Sequence, residues 1–148
     1  MSVALGCDHR GFRLKQAIME FLPEMNHSYR DFGCYSTDSV DYPDIARQVG
    51  AAVASGDFEQ GILICSTGIG MCMAANKIKG IRAALCCDTL TAQRARQHNN
   101  ANILCLRGEN TEVKSALEIV KSYLTSCFEG GRHTTRLKKI EALETDLC

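Results

Sequence analysis

Gly61-Ile62-Leu63-Ile64-Cys65-Ser66-Thr67-Gly68-Ile69-Gly70-Met71 is the stretch from which the fold of this chain is read. Residues 62–64 have the length and β-branched content of a strand buried on both faces. The run ends in a cysteine and passes directly into a small-residue turn of the form S-T-G-x-G. Ser66 or Thr67 is placed to cap a following helix, and Gly68 and Gly70 let the backbone approach a ligand closely. Free N–H groups at a helix start favour an anion and lower the pKa of a nearby thiol. Strand, cysteine and helix in that order therefore put an acid/base thiol beside donors for a developing oxyanion.

Working outward, five apolar runs at residues 3–6, 28–32, 61–64, 82–85 and 102–106 read as strands. Amphipathic segments separate them. Phe12, Leu14, Ala17, Ile18, Phe21 and Leu22 form a helical stripe that Pro23 terminates. A second helix starts after Pro43 and ends near Gly56, and a third spans residues 68–77. A fourth runs from Thr89 or Thr91 to His98, with Asn99 and Asn100 as stop signals. Val113, Ala116, Leu117, Val120 and Leu124 mark a fifth, and Leu137, Ile140 and Leu143 suggest a terminal helix after Gly130-Gly131.

Strict β/α alternation implies an α/β fold: one doubly wound three-layer αβα sandwich on a five-stranded parallel sheet, plus a C-terminal helix. The simplest strand order is the flavodoxin-like 2-1-3-4-5, whose switch point lies between strands 1 and 3. Strand 1 ends at Cys7-Asp8-His9 and strand 3 at Cys65, so two chemically capable segments converge on the expected crevice.

The 148 residues suit a single domain, 1–148, and a composition of 45% hydrophobic and 23% charged residues is ordinary for a globular protein. Seventeen basic residues balance seventeen acidic ones, so no global field favours nucleic acid or membrane. No apolar run approaches the roughly 20 residues needed to span a bilayer, and the N-terminus lacks signal-peptide features. The expected location is cytoplasmic. Nine cysteines lie at 7, 34, 65, 72, 86, 87, 105, 127 and 148, without any C-x-x-C spacing. An odd count without zinc-site spacing reads as small apolar fillers, Cys65 apart, and no metal site is expected.

The remaining motifs each carry two readings. Gly68-Ile69-Gly70 reaches Met73 where a dinucleotide fingerprint needs glycine, and no P-loop lysine follows. Asp8-His9 is either a helix cap with a surface histidine or a polar pair for a hydroxylated or phosphorylated substrate. Asp41-Tyr42-Pro43-Asp44 is a helix-start turn, in which Tyr42 also offers an apolar wall with a hydroxyl tip. His98 sits where a histidine favours the helix dipole. Arg132 and Arg136 share one helix face, as a solvated basic surface or a two-arginine phosphate clamp.

Together these segments resemble the B-type ribose-5-phosphate isomerases of the lactose/allose sugar-phosphate isomerase group. The matching pieces are Asp8-His9 with Gly11, residues 41–44, residues 64–77, Gly80-Ile81-Arg82-Ala83-Ala84, His98-Asn99 with Ala101-Asn102, and Phe128-Glu129-Gly130-Gly131-Arg132-His133 with Arg136. The resemblance implies interconversion of ribose 5-phosphate and ribulose 5-phosphate through an enediolate, in the pentose phosphate pathway, without metal or cofactor. It implies Cys65 as the base between C1 and C2, Thr67 as a proton relay, and His98 with Asp8 for ring opening. Backbone amides of Ser66, Gly68, Ile69 and Gly70 match an anion hole. His9, Arg132 and Arg136 match phosphate contacts, and Tyr42 and Asn99 match sugar contacts. Several members carry an arginine near position 109 for phosphate; here the segment reads Leu106-Arg107-Gly108-Glu109, with Arg107 as the alternative cation. The runner-up readings are an isomerase of a six-carbon sugar phosphate, allose or galactose 6-phosphate, and a non-catalytic flavodoxin-like binding module.

Topology adds an expectation about assembly. Cys65, Asp8 and His9 sit at strand carboxyl ends, whereas His98 ends a helix that runs back about 12–15 Å to the opposite edge. A homodimer, or a dimer of dimers, with shared active sites would reunite them, and the segment 130–148 is the expected partner contact.

Overall fold

The computed structural model describes residues 1–145 of the chain. Cys148 and the end of the expected partner-contact segment lie outside the described residues. Eleven elements follow in order: β1 (Ser2–Cys7), α1 (Phe12–Glu24), β2 (Ser28–Asp31), α2 (Tyr42–Ala54), β3 (Gln60–Cys65), α3 (Ile69–Ala75), β4 (Ala83–Leu85), α4 (Thr89–Gln97), β5 (Ile103–Arg107), α5 (Val113–Thr125) and α6 (Arg132–Leu143). All four strand pairings are parallel.

The sheet order is β2-β1-β3-β5-β4, which corrects the expected 2-1-3-4-5. The exchange has a physical reason. β5 is a run of Ile103, Leu104, Cys105 and Leu106, all buried, which needs neighbours on both sides. β4 is three residues long and only partly buried, as suits an edge strand. The crevice between β1 and β3 survives the exchange.

Alternation along the strands divides the core in two. Val3, Leu5, Cys7, Ile62, Ile64, Leu104 and Leu106 face one layer with Leu14, Ile18 and Leu22 of α1, Ala92 of α4, and Val120 and Tyr123 of α5. Ala4, Leu63, Cys65, Ile103 and Cys105 face the other, with Ile45 and Val49 of α2 and Met71 and Ala75 of α3. The helices therefore cover both faces, as doubly wound sheets require. Pro23 falls inside the last turn of α1 rather than before its end, and the helix stops one residue later. A fully buried Lys15 ties α1 to the edge strand: its Nζ donates to both oxygens of Asp31, at 2.6 and 2.7 Å, and to Cys34 O. A buried ammonium is tolerated when paired and hydrogen-bonded in this way. α6 stands apart, burying only His133 and Leu137 and leaving Ile140 and Leu143 exposed.

Candidate active site

Three turns meet at the carboxyl edge of the sheet. Asp8 N donates to Ile64 O at 3.0 Å, Gly108 N to Cys65 O at 2.8 Å, and Glu109 N to Ser66 O at 3.2 Å. The packing leaves no room for side chains at the joints. A Cβ on Gly11 would stand 2.8 Å from Ile64 O, and one on Gly108 would stand 2.8 Å from Arg10 O. The β1–α1, β3–α3 and β5–α5 turns are thus one interlocked surface, with Cys65 in its middle.

Cys65 closes β3 and is 4% exposed. Its Sγ accepts the amide N–H of Gly68 at 3.2 Å. The turn makes this possible because Gly68 takes φ +76, and a Cβ there would also press on the Leu106 backbone at 2.9 Å. Gly68 itself is the N-cap of α3, with no side-chain cap, so Ser66 and Thr67 do not cap the helix in the expected way. Thr67 Oγ1 accepts Ile69 N–H at 3.2 Å from an exposed position. Ser66 Oγ instead donates to Glu109 Oε2 at 2.5 Å. The amide of Gly68 serves the thiol and that of Ile69 serves Thr67 in this state of the turn. Gly70 is needed for a different contact, since a Cβ there would lie 2.6 Å from Tyr42 Cζ. Tyr42, 40% exposed at the start of α2, therefore forms a wall directly against the glycine turn.

Asp8 does not cap α1 as one reading expected, since the N-cap is Gly11 without a side-chain cap. Asp8 is buried, and its Oδ1 accepts Arg10 N–H at 2.9 Å and Gly11 N–H at 3.1 Å, pinning the turn. Its Oδ2 has no hydrogen-bond donor among the described residues. His9 Nδ1 accepts Val40 N–H at 3.3 Å. In its unprotonated Nδ1 form the ring keeps Nε2–H as a donor.

The other expected residues gather elsewhere. His98 follows α4 at the amino edge, where Asn102 leads into β5, and its ring stacks on His133 with centroids 4.3 Å apart and planes 11° from parallel. Glu129 Oε2 lies 3.6 Å from His98 Nε2 and 4.0 Å from His133 Nε2, and Arg94 Nη1 approaches His98 Nε2 to 3.1 Å. Burial, then the charges of His98, Arg132 and Arg136, hold His133 below the ordinary histidine range, with Glu129 opposing. Arg132 and Arg136 are exposed on the first turns of α6, and neither forms an ion pair among the described residues. Asn99 is exposed and borders a cavity of about 440 Å³ between β4 and α6 that excludes Cys65, Asp8 and Thr67.

The structure thus brings Asp8, His9, Tyr42, Cys65, Ser66, Thr67, Gly68, Ile69 and Gly70 to one edge and leaves His98, Asn99, Arg132 and Arg136 at the other. Reading the sequence by motif missed His133 and Glu129, although both stand in the quoted Phe128–His133 block, and it missed Arg10 and its pairing with Glu109. Among the described residues, His98, Glu129 and His133 have donor atoms within 4.8 Å of one another, close enough for a metal. Nearly parallel stacked rings, however, do not aim their in-plane lone pairs at one ion.

Comparison with known proteins places this geometry. A family model described as Ribose/Galactose Isomerase matches residues 3–140. Ribose-5-phosphate isomerase B of Escherichia coli is 44% identical over 142 residues, covering 96% of this chain and 95% of that protein. A putative sugar phosphate isomerase of Bacillus subtilis, YwlF, is 47% identical and covers 97% of each chain. The solved structure of Clostridium thermocellum ribose-5-phosphate isomerase B superimposes with a TM-score of 0.98 at 44% identity, covering 100% of both chains. That of the Mycoplasma genitalium enzyme with bound ribulose-5-phosphate gives 0.93 at 43% identity, covering 97% of this chain and 96% of that one. With one family model along nearly its whole length and close relatives covering both chains, this chain belongs to the ribose/galactose isomerase family.

Proposed function

We propose that the chain is an aldose–ketose isomerase that interconverts ribose 5-phosphate and ribulose 5-phosphate through an enediolate, with Cys65 as the base. The observation that carries the chemistry is the placement of Cys65 Sγ, fixed at the end of β3 by the hydrogen bond from Gly68 N–H, inside the glycine turn whose amides can face a developing oxyanion. Relatives named for this activity support the substrate.

In this reading the thiolate takes the proton from C2 of the open-chain aldose, and electrons move onto the carbonyl oxygen to give the enediolate. The same thiol then returns the proton at C1, forming the ketose. Thr67 relays the hydroxyl proton between O1 and O2, and amides of the Ser66–Gly70 turn stabilise the anionic oxygens. Proton transfer by a placed base is worth about 10²–10⁴-fold, and each oxyanion donor about 10²–10³-fold. Asp8 Oδ2 and His98 open the furanose, Tyr42 and Asn99 contact the sugar, and His9, Arg132 and Arg136 take the phosphate.

The separation of these groups between two sheet edges supports a second copy of the chain completing each site. In a two-fold assembly the α6 arm and His98 of one subunit reach the Cys65 edge of the other. Exposed Ile69 and Met73 on α3 and exposed Ile140 and Leu143 on α6 supply apolar surface for such an interface. The expected setting is cytoplasmic, in the pentose phosphate pathway; no helix among the described residues is long and apolar enough to cross a membrane.

The direct test incubates EDTA-treated protein with ribose 5-phosphate and follows ketose formation. Turnover without added metal is the expected result. A panel including allose and galactose 6-phosphates, compared by kcat/KM, tests the five-carbon preference. Absence of turnover with every sugar phosphate would overturn the enzymatic reading in favour of a binding module.

A further inference from the structure

Arg10 and Glu109 face each other where the β1–α1 and β5–α5 turns interlock. Arg10 Nη1 donates to Glu109 Oε1 at 2.8 Å, and Ser66 Oγ donates to Glu109 Oε2 at 2.5 Å. The Ser66 hydrogen bond, then the charge of Arg10 and more weakly that of His9, hold the Glu109 carboxyl below the usual carboxylate range. Backbone packing sets the distance, since Gly108 lies against the carbonyl of Arg10 and the Cα of Gly11. The pair therefore belongs to the rigid surface that carries Cys65 and is not a chance contact of two mobile side chains.

Its chemistry leaves capacity unused. Among the described residues the Arg10 guanidinium donates only through Nη1, and its side chain is 60% exposed. A guanidinium has five donors in a planar fork, so Nε and Nη2 remain for a second acceptor. Arg107, the cation nearest in sequence to Glu109, is engaged otherwise: its Nη2 donates to Asn110 O at 3.1 Å. A carboxylate beside a phosphate dianion repels it, but here the Glu109 charge is matched by Arg10 and hydrogen-bonded by Ser66.

We propose that Arg10 is the guanidinium this chain presents to the substrate phosphate from the Cys65 edge, next to His9, and that Glu109 is its positioning residue. The assignment rests on the sugar-phosphate isomerase reading and deepens it. Glu109 holds one nitrogen of the fork, which lowers the ordering cost of binding through the others. The phosphate seat is then shared between an edge-fixed pair, His9 and Arg10, and the α6 pair, Arg132 and Arg136.

Steady-state kinetics with ribose 5-phosphate, and inhibition by inorganic phosphate, test this on the full-length chain. Arg10→Ala is expected to raise both KM and the phosphate Ki about tenfold, the loss of one charge-assisted contact, with a smaller change in kcat. Arg10→Lys restores only part, because an ammonium lacks the planar fork. Glu109→Gln is expected to raise KM and Ki several-fold while thermal melting shows the variant folded. Unchanged KM and Ki in Arg10→Ala would overturn the role of Arg10. A lower KM in Glu109→Gln would overturn its positioning role, by showing that the carboxylate opposes phosphate. Wild-type protein without isomerase activity would fail the underlying reading alone; calorimetry of inorganic phosphate with wild type and Arg10→Ala would still decide the anion assignment.

Discussion

The carboxyl edge and the amino edge of this sheet hold their polar groups by different means. At the carboxyl edge the backbone does the holding: three turns are laced by main-chain hydrogen bonds and glycine contacts that admit no Cβ. At the amino edge side chains hold one another. His98, 29% exposed, rests on His133 and near Glu129, and His133 belongs to a helix that buries only two residues. The difference teaches where each kind of task belongs. Proton abstraction requires the base placed within a fraction of an ångström, which packed backbone provides. The groups proposed to serve a second subunit stand on a surface that the fold leaves uncovered.

The largest expected effect breaks the rigid edge at its centre. Cys65→Ala should lower kcat about 10²–10⁴-fold, while calorimetry shows ribose 5-phosphate binding within several-fold of wild type. A near-normal kcat would move the base elsewhere. Mixing tests whether the two edges serve one another across an interface. Inactive Cys65→Ala and inactive His98→Asn, dissociated and reassociated together, should regain about half of the wild-type activity per heterodimer, because one of two composite sites is intact. Heterodimers seen by mass spectrometry but without activity would put both residues in one chain's site.

Stability then compares the edges directly. Gly68→Ala forces a side chain into φ +76 and against the Leu106 backbone, and should cost about 2–4 kcal/mol. Gly130→Ala, at φ +68, meets only Thr134 Oγ1 at 3.8 Å and should cost about 1 kcal/mol. Equal melting temperatures would deny the contrast in rigidity.

Acid should loosen the two edges in sequence. His133 is held below its ordinary value of 6.5, mainly by burial, so the unfolded chain takes up the proton first and stability falls as pH drops past that value. Glu109 is held below 4.5, so its contribution is present above that value and is lost as pH falls through the lower folded one. Denaturant midpoints from pH 8 to 3 should show His133→Asn flattening the upper part of the profile and Glu109→Gln only the lower. The smallest effect concerns Cys72, a half-buried thiol on α3. A hydrogen bond with Cys105 draws it down to about 7, whereas burial pushes Cys86 up to about 12. Iodoacetamide at neutral pH should therefore label Cys72 well before Cys86 or Cys105, as peptide mapping would show. Inactivation by alkylation thus needs a Cys72→Ser background before it speaks for Cys65.

Local signals made most of the fold legible. Pro43, the Gly68 turn and the Asn99-Asn100 stop each marked a helix end close to where the structure has it. The β4/β5 exchange escaped because strand order is a long-range property, although fully buried Ile103–Leu106 against short Ala83-Ala84-Leu85 held the clue. At the site, Cys65, Asp8 and His9 were readable because strand ends converge at a switch point. The pairing of Arg10 with Glu109 was not, since 99 residues separate them and only the Gly108 joint brings them together. His133 was hidden for the opposite reason: its role lies in resting on His98, and spacing in the chain does not encode stacking.

The interlocked turns also bear on how variation in descendants of this gene would be interpreted. Gly11, Gly68 and Gly108 are required by neighbouring backbone atoms under 3 Å from any added methyl group, whether or not a reaction occurs above them. A lineage that replaced Cys65 and took up some other task would still be compelled to keep all three. Their persistence would testify to the architecture, and Cys65, whose side chain supplies only one acceptor to the Gly68 amide, would be the position at which a change of livelihood first showed.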